Sequence, residues 1–176
     1  MKSRRLAHDA LTVALLGGSF LVFRGTTNVL NGWVVPLILY LHRSVHGPGR
    51  TWLPLFGLGL LSLFFFRFQL FFLLAYAAAA GVLTLMEYKS WSPVVGWLLL
   101  GAVNSAGYLL ALVLTDELLG IPLRRVLGSM VPGLPGGWVV ITVAQGMAVA
   151  AVLYASARWV RPRVEGLRRQ SAAASR

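Results

Sequence analysis

The stretch "LLSLFFFRFQLFFLLAY", residues 60–76, decides how the whole chain is read. One arginine, Arg67, stands in a run that is otherwise almost wholly apolar. At the centre of a membrane helix an arginine costs about 2.5–3.5 kcal/mol on insertion scales. Either a single helix runs through and buries the charge, or the chain turns at Arg67 and the charge reaches water. An unbroken helix over 52–87 would, at about 1.5 Å per residue, far exceed a hydrocarbon core of about 30 Å. The reading is therefore a hairpin with a tight turn at "RFQ", 67–69. The guanidinium snorkels to the headgroups while Phe64, Phe65, Phe66 and Phe68 stay in lipid.

Working outward, composition agrees with a lipid setting. Hydrophobic residues make up 57% of the 176 residues and charged ones 12%, and mean hydropathy is +0.74. A soluble domain carries about a quarter charged residues. The chain thus reads as an all-α, polytopic membrane protein, a single transmembrane domain over 1–176. Net charge is +11, but the bases cluster at the ends and in short loops between apolar runs. That pattern marks orientation and contact with anionic headgroups, not nucleic-acid binding. There is no cysteine, which excludes disulfides, thiolate chemistry and Cys-based metal or iron–sulfur sites. "MKSRR" followed by "ALTVALLGGSFLVF" has the look of a signal peptide without a small-x-small cleavage site, so it reads as a retained first helix.

Apolar runs fall at about 9–23, 29–42, 52–66, 68–87, 93–115 and 137–159. Six crossings put both termini on one side. With the N-terminus inside, Lys2, Arg4, Arg5, Arg43, Arg50, Lys89, Arg158, Arg161, Arg163, Arg168, Arg169 and Arg176 are inner, against Arg24, Arg67, Arg124 and Arg125 outer. Twelve against four predicts an N-in, C-in bundle of about six helices in a bacterial cytoplasmic membrane. The segment 116–136, with Pro122, Pro132 and Pro135, reads as an outer loop holding a short interfacial helix. Residues 160–176 read as a basic cytoplasmic tail that frays.

Three constellations stand out. His42 and His46 are spaced i, i+4, a spacing that can clasp a metal, but no glutamate follows the first and Gly47-Pro48-Gly49 ends any helix. A polar loop with no metal is expected. On the fifth run, Asn104, Tyr108, Ala111 and Thr115 share a face, as Trp138, Thr142 and Gln145 do on the last. Hydrocarbon cannot bond lone amides, so they face neighbouring helices or a ligand. The first loop, "RGTTNVLNGW", adds Arg24, Asn28, Asn31 and Trp33. Arg24, Asn28, Asn31, Trp33, Asn104, Tyr108 and Gln145 are thus candidate substrate-binding residues. Third, Ala10, Ala14 and Gly18 form a small-residue ridge on the first run, suited to a close helix crossing within the bundle or with another subunit.

Asp9, Glu87, Asp116, Glu117 and Glu165 are scattered, and no nucleophile-elbow, phosphate-loop or cofactor motif is present. No enzyme activity, catalytic residue or cofactor is expected.

The whole-chain pattern resembles the substrate-binding S components of energy-coupling factor transporters. Ala10 and Ala14 match that family's Ala-xxx-Ala docking motif on the first helix, and "PGLPGGWVVITVAQGMAVAAVLYASARWVRP" resembles its last helix with the loop before and the basic end after. The resemblance implies binding of a small vitamin-like nutrient, a membrane coupling subunit docked along Ala10, Ala14 and Gly18, and separate cytoplasmic ATPases. The MreD family of cell-shape membrane proteins is similar in size, span count and basic C-terminus. It implies instead a non-catalytic scaffold subunit of an envelope-assembly complex.

Overall fold

The structure, a computed structural model, describes residues 2–23, 29–47, 52–89 and 91–173, with no side-chain description for 2–5, 164–165 and 167–173. The described residues form helices joined by turns: α1 (Lys2–Val22), α2 (Val29–His46), α3 (Trp52–Phe65), α4 (Phe72–Lys89), α5 (Pro93–Leu119), α6 (Leu123–Ser129) and α7 (Gly137–Ala173). Three stretches among them are long and apolar enough to cross a membrane: Phe72–Lys89, Pro93–Leu119 and Gly137–Arg163. Leu6–Val22 and Trp52–Phe65 are shorter apolar helices. Asn31, His42, Arg43 and His46 dilute the apolar character of α2. Large side chains such as Phe56, Phe64, Phe65, Leu74, Val94, Leu98, Leu110 and Val140 are exposed around the bundle. In water so much exposed apolar surface is a liability; against acyl chains it is the expected exterior.

The chain does break at Arg67. α3 ends at Phe65, a single 3₁₀ turn occupies Arg67–Gln69, and α4 starts at Phe72. Within the turn, side chains alternate in fate: Phe66 and Gln69 are buried, Arg67 is exposed. The Tyr76 hydroxyl donates to Gln69 Oε1 at 3.0 Å, which ties the buried amide of the turn to the first turns of α4.

Local chemistry sets the ends of α5. Ser92 caps its N-terminus by accepting from the Val95 amide at 3.3 Å, and Pro93 supplies the preset φ of a first turn. Gly120 ends it in the left-handed region, φ +67°, with its N–H on the Asp116 carbonyl at 3.2 Å. Asp116 then holds α6: its carboxylate accepts from the Leu123 amide and from Arg124 Nε, each at 2.8 Å. Asp116 first, and Glu117 after it, hold the Arg124 guanidinium above its usual pKa.

α5 lies against α4 and α7, and α2 crosses α4 and α7. Small residues let these backbones approach. A Cβ on Gly146 of α7 would stand 2.7 Å from the Ser105 amide nitrogen of α5, so only glycine fits. The Ser105 hydroxyl donates across the same crossing to the Val143 carbonyl at 3.3 Å. Phe20 of α1, Phe66, Phe72 and Tyr76 of the hairpin, and Tyr108 of α5 form one aromatic core, with Tyr76 and Tyr108 edge to face at 6.3 Å.

Two expectations differ from what is observed. The region after residue 159 does not fray at once, because α7 runs on through Pro162 to Ala173. Its alanines and long basic side chains are good helix formers. His42 and His46 are not in a loop: both lie on α2, which runs to His46, and His42 is buried.

Candidate functional site

The buried face of α5 carries polar groups into the middle of the bundle. Asn104 is 0% exposed, Tyr108 1%, and Ala111 and Thr115 continue the same face one and two turns on. Thr115 satisfies its hydroxyl within the helix, donating to the Ala111 carbonyl at 2.7 Å. Asn104 and Tyr108 do not. Both polar atoms of the Asn104 amide and the Tyr108 hydroxyl have no hydrogen-bond partner, and neither does Oδ1 of Asn31 on α2, which is 1% exposed.

Of these groups, Tyr108 of α5 reaches α2 itself, at Gly32. The Tyr108 hydroxyl occupies the space a side chain on Gly32 would fill, with Val149 of α7 beside it. Glycine at 32 is what lets the phenol reach the backbone of α2, next to Asn31. Each buried polar group left without a partner costs about 1–3 kcal/mol. Asn104 and Tyr108, one turn apart on α5, and Asn31 on α2 together leave four buried polar atoms open to a partner. Chemically they present two amide carbonyl acceptors, one amide donor and one hydroxyl of either role. All are neutral, so they suit a small uncharged or zwitterionic polar group framed by aromatic rings.

The remaining candidates are placed differently. Trp33 is half-buried and its indole N–H is already engaged, donating to Ser156 Oγ of α7 at 2.9 Å. Gln145 is half-buried on α7 and makes no hydrogen bond with Asn104. Arg24 and Asn28 lie outside the described residues. Ala10 and Ala14 are exposed, and Gly18 is half-buried with open space where its Cβ would be. The face of α1 turned to the bundle is a different one, bearing Asp9, Thr12, Leu16, Gly17 and Phe20.

Two groupings were not found by reasoning on the sequence. Asp9 on α1 and His42 on α2 meet at 3.4 Å, both buried, and the His8 and His46 rings lie beside them. The only signal was a carboxylate at the edge of an apolar run; its partner is 33 positions away and on another helix. Among the described residues no three histidine, aspartate or glutamate side chains are arranged to hold a metal ion. A second grouping forms a cleft of about 270 Å³ lined by Tyr40, Glu87, Trp91, Tyr154, Arg158 and Arg161. There the Tyr40 hydroxyl donates to Glu87 Oε2 at 3.4 Å, and Arg161 Nε stands 3.9 Å from Glu87 Oε1.

Neither a family model nor a curated protein nor a solved structure matches the chain.

Proposed function

We propose that this chain is a membrane-embedded substrate-binding subunit for uptake of a small organic nutrient, working with a membrane coupling subunit and separate cytoplasmic ATPases. It crosses the cytoplasmic membrane of a bacterium about six times, with both termini inside, and carries no enzyme activity of its own. The observation that carries the reading is the set of unpartnered, fully buried polar atoms on Asn31, Asn104 and Tyr108. A purely structural polar contact in a membrane bundle pairs its groups with each other. These four atoms are unpaired, and a bound ligand with matching donors and acceptors would complete them. Arg24 and Asn28, which precede α2 in the sequence, and Gln145 would extend the site outward, and Trp33 would wall it. The small-residue strip of exposed Ala10 and Ala14 with half-buried Gly18 supports docking of the coupling subunit on the outer side of α1.

A thermal-shift screen of the purified protein against water-soluble vitamins and their precursors tests this. A ligand at about 1,000 times its Kd stabilises by about 4 kcal/mol through mass action. Stabilisation that disappears on Asn104→Leu supports the reading. A chain that no nutrient stabilises, yet that co-purifies with envelope-assembly proteins, is the scaffold subunit instead.

A further inference from the structure

All three histidines of the chain gather with Asp9 at one end of the α1–α2 pair. They form a graded series. His8 is exposed, His46 half-buried, His42 5% and Asp9 4% exposed. Ring centroids are 5.4 Å apart from His8 to His46 and 4.8 Å from His46 to His42. His42 Nε2 then lies 3.4 Å from Asp9 Oδ1. On the other edge of the same ring, Nδ1 lies 3.0 Å from Thr12 Oγ1, which is itself 2.9 Å from the His8 carbonyl oxygen.

The Thr12 hydroxyl therefore has two acceptors within reach, and protonation of the ring removes one of them. With His42 neutral, the hydroxyl donates to Nδ1, and the ring keeps its hydrogen on Nε2, facing the Asp9 carboxylate. When Nδ1 gains a proton, the hydroxyl turns to the His8 carbonyl and its oxygen accepts from the new N–H. Nε2–H still faces Asp9. A hydroxyl hydrogen rotates to suit its surroundings, so the Thr12 hydroxyl can serve Nδ1 in either state without a heavy atom moving. A carboxylate and an imidazole buried side by side are costly unless they serve each other, which the 3.4 Å spacing allows.

We propose that Thr12, His42 and Asp9 form a reversible proton-binding site within the bundle, and that His46 and His8 are its route to water at the α1 N-terminal end. One proton is taken from that water, resides on His42 Nδ1, and returns to it. The imidazole spacings allow passage directly or across a single bridging water.

Among the described residues, the charged groups of the neighbouring elements are placed as follows. α3, packed on α1, has no ionisable side chain. Arg43 extends from α2 towards Gly81 of α4. Glu87 of α4 and Arg161 of α7 meet around Tyr40. Tyr76 bonds Gln69, and Tyr88 is exposed. Lys89 lies over Trp91, Arg158 over Tyr154 and Arg163 over Trp159.

With only three histidines present, ¹⁵N-histidine NMR of the full chain in nanodiscs reads the site directly, signals being assigned with His8→Gln and His46→Gln. Across the imidazole range, around an unperturbed value of about 6.5, His42 should pass from the Nε2–H tautomer to the doubly protonated ring. Asp9→Asn should lower its proton affinity by about tenfold or more, and Thr12→Val should lower it too by stranding Nδ1–H. His46→Gln should slow proton exchange without moving the midpoint. A His42 that keeps one protonation state throughout, or titrates at the same midpoint in Asp9→Asn, overturns the proposal. Should Asp9→Asn fail to fold, the parent chain decides alone: an Nδ1–H tautomer at high pH puts the hydrogen on the wrong nitrogen and overturns it equally.

Discussion

Tyr76 and Tyr108 offer a paired test, because the same isosteric change should move stability in opposite directions. Both side chains are fully buried in one aromatic core, their rings edge to face at 6.3 Å. Tyr76 donates to Gln69 Oε1 at 3.0 Å, whereas the Tyr108 hydroxyl has no partner. Tyr76→Phe removes a made bond to the buried Gln69 amide, so the unliganded protein should lose about 0.5–1.5 kcal/mol. Tyr108→Phe removes an unpaired hydroxyl at the price of a void of a single oxygen beside Gly32. The ring contacts to Phe72 at 5.7 Å and to Tyr76 stay. The net expectation is a gain of about 1 kcal/mol, or roughly 2–4 °C in Tm for a chain of this length. Once a ligand is in hand, the same Tyr108→Phe change should weaken its binding by about 2- to 10-fold, the loss of one hydrogen bond. Thermal unfolding of the parent and both variants, in one detergent and without ligand, measures the first part. If Tyr108→Phe destabilises by about 1 kcal/mol or more, the hydroxyl is bonded, and the argument from orphaned polar atoms fails with it.

Glycine contacts give a second paired test: Gly146→Ala drives a Cβ against the Ser105 backbone and should cost about 1–3 kcal/mol. Gly101→Ala crowds the flexible Met147 side chain, with Ala150 Cβ at an ordinary 3.8 Å, and should cost less than about 1 kcal/mol in the same unfolding assay. Cysteine at Arg67, in a chain with no native cysteine, should react with an impermeant thiol reagent in intact cells; labelling only after the inner face is opened would reverse the proposed topology. Ala14→Leu, on the exposed side of α1, should leave unfolding unchanged while reducing co-purification of the coupling subunit by tenfold or more, as about 1–3 kcal/mol at a close helix crossing implies. A variant that unfolds the isolated chain would make the ridge internal packing.

Helical class and the break at Arg67 were legible in the sequence, because both follow from quantities local to a few residues. A charge inside an apolar run must reach water, and a helix longer than the hydrocarbon core must turn, whatever the rest of the chain does. Ser92-Pro93 and Gly120 likewise mark the ends of α5 through their own side chains and φ preferences. Helical spacing alone put Asn104, Tyr108 and Thr115 on one face, and that face is buried. What spacing leaves open is the partner opposite each group. Tyr108 rests on Gly32 and stays unbonded, while Tyr76, equally buried, finds Gln69. Trp33 looked like a loop aromatic free to stack on a ligand, and its N–H is held by Ser156, 123 residues on. Asp9 and His42 read as a stray carboxylate and a loop imidazole until α1 and α2 lay side by side. Local sequence determines where a helix starts, stops and is apolar; which side chains meet across helices depends on crossing geometry, set by small residues such as Gly32 and Gly146, and only the tertiary structure decides it.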